Sequence, residues 1–177
     1  MESLQEKILA YYKEGMPFSD CGDVEESVLE KFAEHAVFLR ENVKWCKALP
    51  EDIFMENVAA YRINNERIED CRKWFFGMVW PEIMYMEAKE AIGVVNMWCA
   101  RQVTYHQASA RTANAVTAYK SGLGRCGEES VFTVTVLRSV GLPARQVYAP
   151  WWSHCDDNHA WVEVWCDGKW HYLGACE

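Results

Sequence analysis

An α+β fold, in which a helical first part packs on a small antiparallel sheet, is predicted by three observations in this 177-residue chain. Apolar residues recur at helical spacing up to Val103. From His159 onward they alternate instead, and Asp167-Gly168 interrupts the alternation as a two-residue type I′ hairpin signal would. Between the two textures stands GRCGEES, Gly124 to Ser130, where a glycine turn hands over to a helix and presents a cysteine at its first position.

The elements follow in order. Leu4, Ile8, Leu9 and Tyr12 form one apolar stripe that stops at Gly15 and Pro17. Asp23 with Glu26 resembles a capping box and opens a long helix through Val24, Val28, Phe32, Ala36, Leu39 and Val43 up to Pro50. A shorter helix is expected over Asp52 to Tyr61, broken by Asn64-Asn65. Glu66 to Val79 reads as helical and ends at Pro81, and Glu82 to about Val103 reads as a last long helix. The polar run Asn64-Asn65-Glu66-Arg67 is either a solvated turn or a loop facing the active site. Thr112 can cap a short helix through Tyr119, and Gly122 and Gly124 break it. Cys126 to Val140 forms the next helix, ended by Gly141 with Pro143 beyond. Ala144 to Ala149, His159 to Cys166 and Lys169 to Gly174 read as strands. Residues 1–85 are thus expected as a helical extension and 86–177 as the core that carries the chemistry.

Composition narrows the function. A net charge of −8 without a Lys/Arg block argues against nucleic acid or an anionic membrane as the main partner. The longest apolar runs are too short to span a bilayer, and MESLQEKILA lacks the order of a signal peptide, so a cytoplasmic location is expected. The eight cysteines are scattered and contain no C-x-x-C. Reduced thiols are therefore expected, with Cys46, Cys71, Cys99 and Cys166 acting as small hydrophobes. His154, Cys155 and His159 offer no fourth ligand at a closed spacing, so neither a metal nor another cofactor is expected.

The chemistry then centres on Cys126. A helix N-terminus favours a thiolate, and flanking Gly124 and Gly127 allow close backbone approach while adding nothing to a core. His159, at the head of the alternating run, is the candidate base. The oxyanion donors would be the Cys126 N–H and one upstream side chain, with Asn96, Gln102 and Tyr105 as candidates. Trp151, Trp152, Trp161 and Trp165 are expected to wall a substrate cleft. Trp45, Trp74, Trp80 and Trp98 are expected in the core.

Three ordered motifs resemble the transglutaminase-like superfamily of papain-type cysteine enzymes: Gly-x-Cys-Gly-Glu, Leu-Arg-Ser-Val-Gly-Leu-Pro-Ala-Arg, and His-Ala-Trp-Val-Glu-Val-Trp. Within it the chain is similar to the peptide N-glycanases. The resemblance covers residues 88 to 177 and implies Cys126 as nucleophile, His159 as base, and an Asp where this chain has Gly174. Extending the hairpin register straight from its turn puts His159 opposite Cys176 and Trp161 opposite Gly174, so glycine stands where a carboxylate would reach the imidazole. Glu163 lies ~13 Å along the strand from His159, too far to replace it. Glu177 is the first candidate for the orienting group and Asp157 the alternative. The implied reaction is cysteine-dependent acyl transfer on an amide of a peptide, glycopeptide or Gln side chain, with hydrolysis favoured over transfer. The rival expectation is a peptide- or protein-binding module that keeps the fold without the chemistry.

Overall fold

The computed structural model describes residues 2–107, 113–153 and 156–176. Helices α1 (Leu4–Glu14), α2 (Glu26–Asn42), α3 (Lys44–Lys47) and α4 (Glu51–Phe54) come first, and α4 runs on as a π-helical turn over Met55–Ala59. Helices α5 (Arg72–Ile83) and α6 (Ala88–Gln102) follow, then strand β1 (Thr104–Tyr105), α7 (Ala115–Ser121), β2 (Leu123–Gly124), α8 (Cys126–Ser139), β3 (Ala144–Ala149), β4 (His159–Cys166) and β5 (Lys169–Gly174). Strands β3, β4 and β5 form an antiparallel sheet in that order, and β1 pairs with β2 in parallel.

The capping chemistry explains several boundaries. Helix α1 begins at a capping box, in which the Ser3 hydroxyl accepts from the Glu6 N–H and the Glu6 carboxylate accepts from the Ser3 N–H. The expected box at Asp23 and Glu26 does not form; α2 begins after Glu25 without a side-chain cap, and it ends at Asn42, short of Pro50. Asp23 is instead held back by the turn before it, where its N–H and that of Val24 donate to the Asp20 carbonyl.

Residues 60–71 are not helical, contrary to the expectation for Glu66 onward, because buried carboxylates compete for their backbone. Glu66 accepts from the N–H groups of Ile63 and Asn64, while Asp20 takes the Arg62 guanidinium and the Tyr61 hydroxyl. Helix α5 therefore starts only at Arg72, and Pro81 falls inside its last turns rather than ending it. Thr112 lies outside the described residues; α7 is capped by Asn114, whose side chain accepts from the Thr117 N–H.

The second half matches the expected periodicity closely. Helix α8 is central: Phe132, Val134, Val136 and Leu137 are fully buried and pack with Phe75 of α5, Trp98 of α6 and Val162 of β4. Alternation along β4 buries Ala160 beside the cleft and Val162 and Val164 in this core, and leaves His159, Trp161, Glu163 and Trp165 half-buried on the other row. Asp167 and Gly168 both have positive φ, 53° and 77°, as a type I′ turn requires.

The hairpin register departs from the straight extension. A bulge sits between Val162 and Glu163 of the ladder, so Glu163 pairs with Tyr172 but Val162 pairs with Gly174, and Leu173 is the extra residue. Gly174, at φ 80°, thus opposes Val162 and not Trp161. Among the described residues, no helix is long and apolar enough to cross a membrane.

Candidate functional site

Cys126 is the first residue of α8. The turn before it is tight: a Cβ on Gly124 would come 2.8 Å from the Glu128 Cβ and 3.4 Å from the Glu129 nitrogen, contacts that only glycine avoids. Gly124→Ala is expected to push the first turn of α8 out of place. A displacement of the reacting atom by about 1 Å costs on the order of 10²-fold in rate. Comparing turnover with thermal stability checks this, since the turnover loss should exceed what a stability loss of about 1–3 kcal/mol explains.

The first turn is fixed by polar contacts on two sides. The Glu128 carboxylate accepts from the Arg125 N–H at 2.8 Å and from its guanidinium at 3.2 and 3.3 Å. Burial alone would raise the Glu128 carboxyl, but these donors more than offset it and hold it below the usual carboxylate range. On the other side the Ser130 hydroxyl donates to the Cys126 carbonyl at 2.5 Å. The Gln146 amide donates to Ser130 Oγ and the Gly127 carbonyl, and its own oxygen accepts from Asn64 Nδ2 at 2.7 Å. The loop at Asn64 therefore braces the turn that carries Cys126, a link that joins residues 82 positions apart.

A cleft of about 430 Å³ opens beside this turn, and Cys126, Glu129, Tyr105, Asp157, Asn158, His159 and Cys176 all line it. Candidate nucleophile and candidate base thus share one cavity. The His159 ring also packs against Trp152 and Trp161, at centroid distances of 4.7 and 5.9 Å. Among the described residues no hydrogen bond joins it to Cys126.

Of the other expected site residues, Tyr105 alone among the oxyanion candidates reaches the cleft; Asn96 is buried on α6 and Gln102 is the last residue of that helix. Trp152, Trp161 and Trp165 do not line the cleft: Trp152 and Trp161 pack against the His159 ring, and Trp165 packs against Trp170 of β5. Trp151 is 71 % exposed. Asp157 lines the cleft, but its carboxylate accepts from the Asn158 N–H and amide at 2.7 and 2.9 Å rather than from His159. Glu163 is bound by the Arg145 guanidinium at 2.7 and 2.9 Å. Glu177, His154 and Cys155 lie outside the described residues, and among the described residues no group of three His, Cys, Asp or Glu could hold a metal.

The seven described cysteines are free thiols. Burial pushes Cys46 and Cys71 up to about 12 and raises Cys99 and Cys166, which suits their packing role. Glu129, Ser130 and Gln146 were not among the expected site residues. Glu129 was legible in principle, since position i+3 from Cys126 shares its helix face, whereas Gln146 reaches the site only through the folded sheet.

Known proteins agree with this architecture. The family model of the transglutaminase-like superfamily matches residues 82–175, more than half of the chain, and the chain belongs to that superfamily. A crystal structure of a protein from Cytophaga hutchinsonii, named a "putative cysteine protease", superposes with a TM-score of 0.56 at 19% identity over 74% of this chain. The match spans 44% of that protein, so this chain corresponds to less than half of its length. No curated protein matches.

Proposed function

We propose that the chain is a cysteine-dependent acyl-transfer enzyme that acts on an amide bond of a peptide, a glycopeptide or a Gln side chain, with hydrolysis favoured over transfer. What supports this reading is that Cys126, at the N-terminus of α8, and His159, at the head of β4, line the same cleft in a chain of this superfamily. The Cys126 thiolate attacks the carbonyl carbon, and the negative oxygen that results is met by the Cys126 N–H and the Tyr105 hydroxyl. The imidazolium of His159 gives its proton to the leaving nitrogen, the C–N bond breaks, and a thioester remains on Cys126. Water then gives a proton to the imidazole and attacks the thioester, and Cys126 leaves as thiolate. No cofactor enters these steps. The resemblance to peptide N-glycanases makes a glycopeptide amide one of the substrates to try first.

The test is intact-mass detection of an acyl adduct on Cys126 during turnover of three probes: an unmodified peptide, an N-glycosylated peptide, and a Gln peptide with a primary amine. An adduct lost on hydroxylamine treatment is expected with at least one. Neither adduct nor product from any of the three would sink the reading. The second reading is a binding module that keeps the fold without the chemistry, favoured by Gly174, which offers no carboxylate for His159. Saturable peptide binding without turnover is its signature.

A further inference from the structure

A base imidazole needs a neighbour that fixes its ring, and in the usual arrangement that neighbour is a carboxylate. Asp157, in the loop before β4, is engaged by Asn158, and Glu163, four residues along β4, by Arg145. Gly174 offers no side chain and pairs with Val162. Among the described residues neither ring nitrogen of His159 is hydrogen-bonded.

Two aromatic rings lie against the imidazole. The centroid of Trp152 lies 4.7 Å from that of His159 at an interplanar angle of 46°, and Trp161 lies 5.9 Å away at 26°. The two indoles touch each other at 5.6 Å. Trp161 is two residues along the same strand, so it moves with His159. Trp152 is tied to the base of that strand, since its N–H donates to the Asp157 carbonyl at 2.8 Å.

We infer that Trp152 and Trp161 are the positioning residues of His159, fixing its ring plane by aromatic packing where the triad arrangement uses a carboxylate. The inference rests on the reading of Cys126 and His159 as nucleophile and base. An indole face carries negative quadrupole charge and attracts a cation more than a neutral ring. It also limits rotation of the imidazole, and it does both without a hydrogen bond. The titratable groups that share the cleft with His159 are Cys126 and Glu129 from α8, Tyr105 from β1, Asp157 from the loop before β4, and Cys176 after β5.

The experiment follows iodoacetamide alkylation of Cys126 against pH, read by peptide mass spectrometry, with exposed Cys21 as the internal reference. Trp152→Leu and Trp161→Leu are expected to slow labelling of Cys126 at pH 6 by about threefold, because the imidazole loses its fixed orientation. Trp152→Phe, which keeps an aromatic face, should restore most of the rate. Wild-type labelling of Cys126 no faster than that of Cys21 would overturn the nucleophile–base reading and this inference with it. Fast wild-type labelling that Trp152→Leu and Trp152→Phe both leave unchanged, or that Trp152→Leu accelerates, would overturn this inference alone.

Discussion

Cys126→Ala removes turnover and leaves every other contact of the first turn of α8 in place. Ser130 and Gln146 bind backbone carbonyls and each other there, and Glu128 binds Arg125, so none of these contacts involves the thiol. Loss of a nucleophile acting with its base costs on the order of 10⁶ in kcat in the enzymes where it has been isolated. A fall of at least 10⁴-fold is the expected outcome here, with the thermal midpoint within about 2 °C of wild type, the shift that a change of about 0.5 kcal/mol gives. In alkylation the same variant should lose one fast site, while the peptides carrying Cys46, Cys71 and Cys99 stay slow because burial disfavours their thiolates. Residual turnover within tenfold of wild type would move the chemistry to another residue.

Acid should destabilise the fold through one histidine far from the cleft. His35 is 8 % exposed on α2 and donates from Nε2 to the Ser139 carbonyl at 2.8 Å, at the end of α8. Burial, aided by Arg72 and Lys73 and opposed by the Ser139 carbonyl, pushes its imidazole down from 6.5 to about 4. The folded state therefore binds fewer protons than the unfolded state between those two values. Stability is fully present above pH 6.5 and is lost as the pH falls toward 4. At about 1.4 kcal/mol per unit, the loss from this group is about 2 kcal/mol at pH 5 and approaches about 3 kcal/mol at pH 4. Urea unfolding of wild type and His35→Gln checks it, because glutamine keeps a donor for Ser139 and does not titrate. The two stability curves should converge or cross on acidification by that amount; parallel curves from pH 7.5 to 4.5 would rule it out.

The sequence was most informative where one residue's neighbours decide its conformation. Gly124, Cys126 and Gly141 delimit α8 because turn and helix-start chemistry is local, and Asp167-Gly168 marks the hairpin for the same reason. It was least informative where distant groups compete for the backbone. Nothing in the run Ile63 to Glu66 reveals that a buried carboxylate will take two N–H groups and forestall a helix. The extra residue at Leu173 is equally silent, since an alternating pattern reads the same with or without one bulged position until partners are known. Cys126 and His159 were legible as a pair through the ordered motifs. That Trp152 comes to lie against His159 depends on how the loop before β4 folds back on the strand, which no spacing in the sequence encodes.

The far end of α8 carries a different lesson. The Arg138 guanidinium, 4 % exposed, donates to the carbonyls of Ala60, Arg62 and Ala144, and the Trp45 indole donates to Val140 beside the bond from His35 to Ser139. Three side chains or loops from the first 62 residues thus seal the end of the helix whose other end presents the thiol. A fragment trimmed to the stretch shared with the superfamily, residues 82–175, would lose two of the three acceptors of this guanidinium together with Phe75 and Val79, and would open to water the apolar face of α8 that they cover. The helical segment before that stretch thus acts as a folding partner in the same chain, and engineering that swaps or shortens it has to carry a replacement for those acceptors.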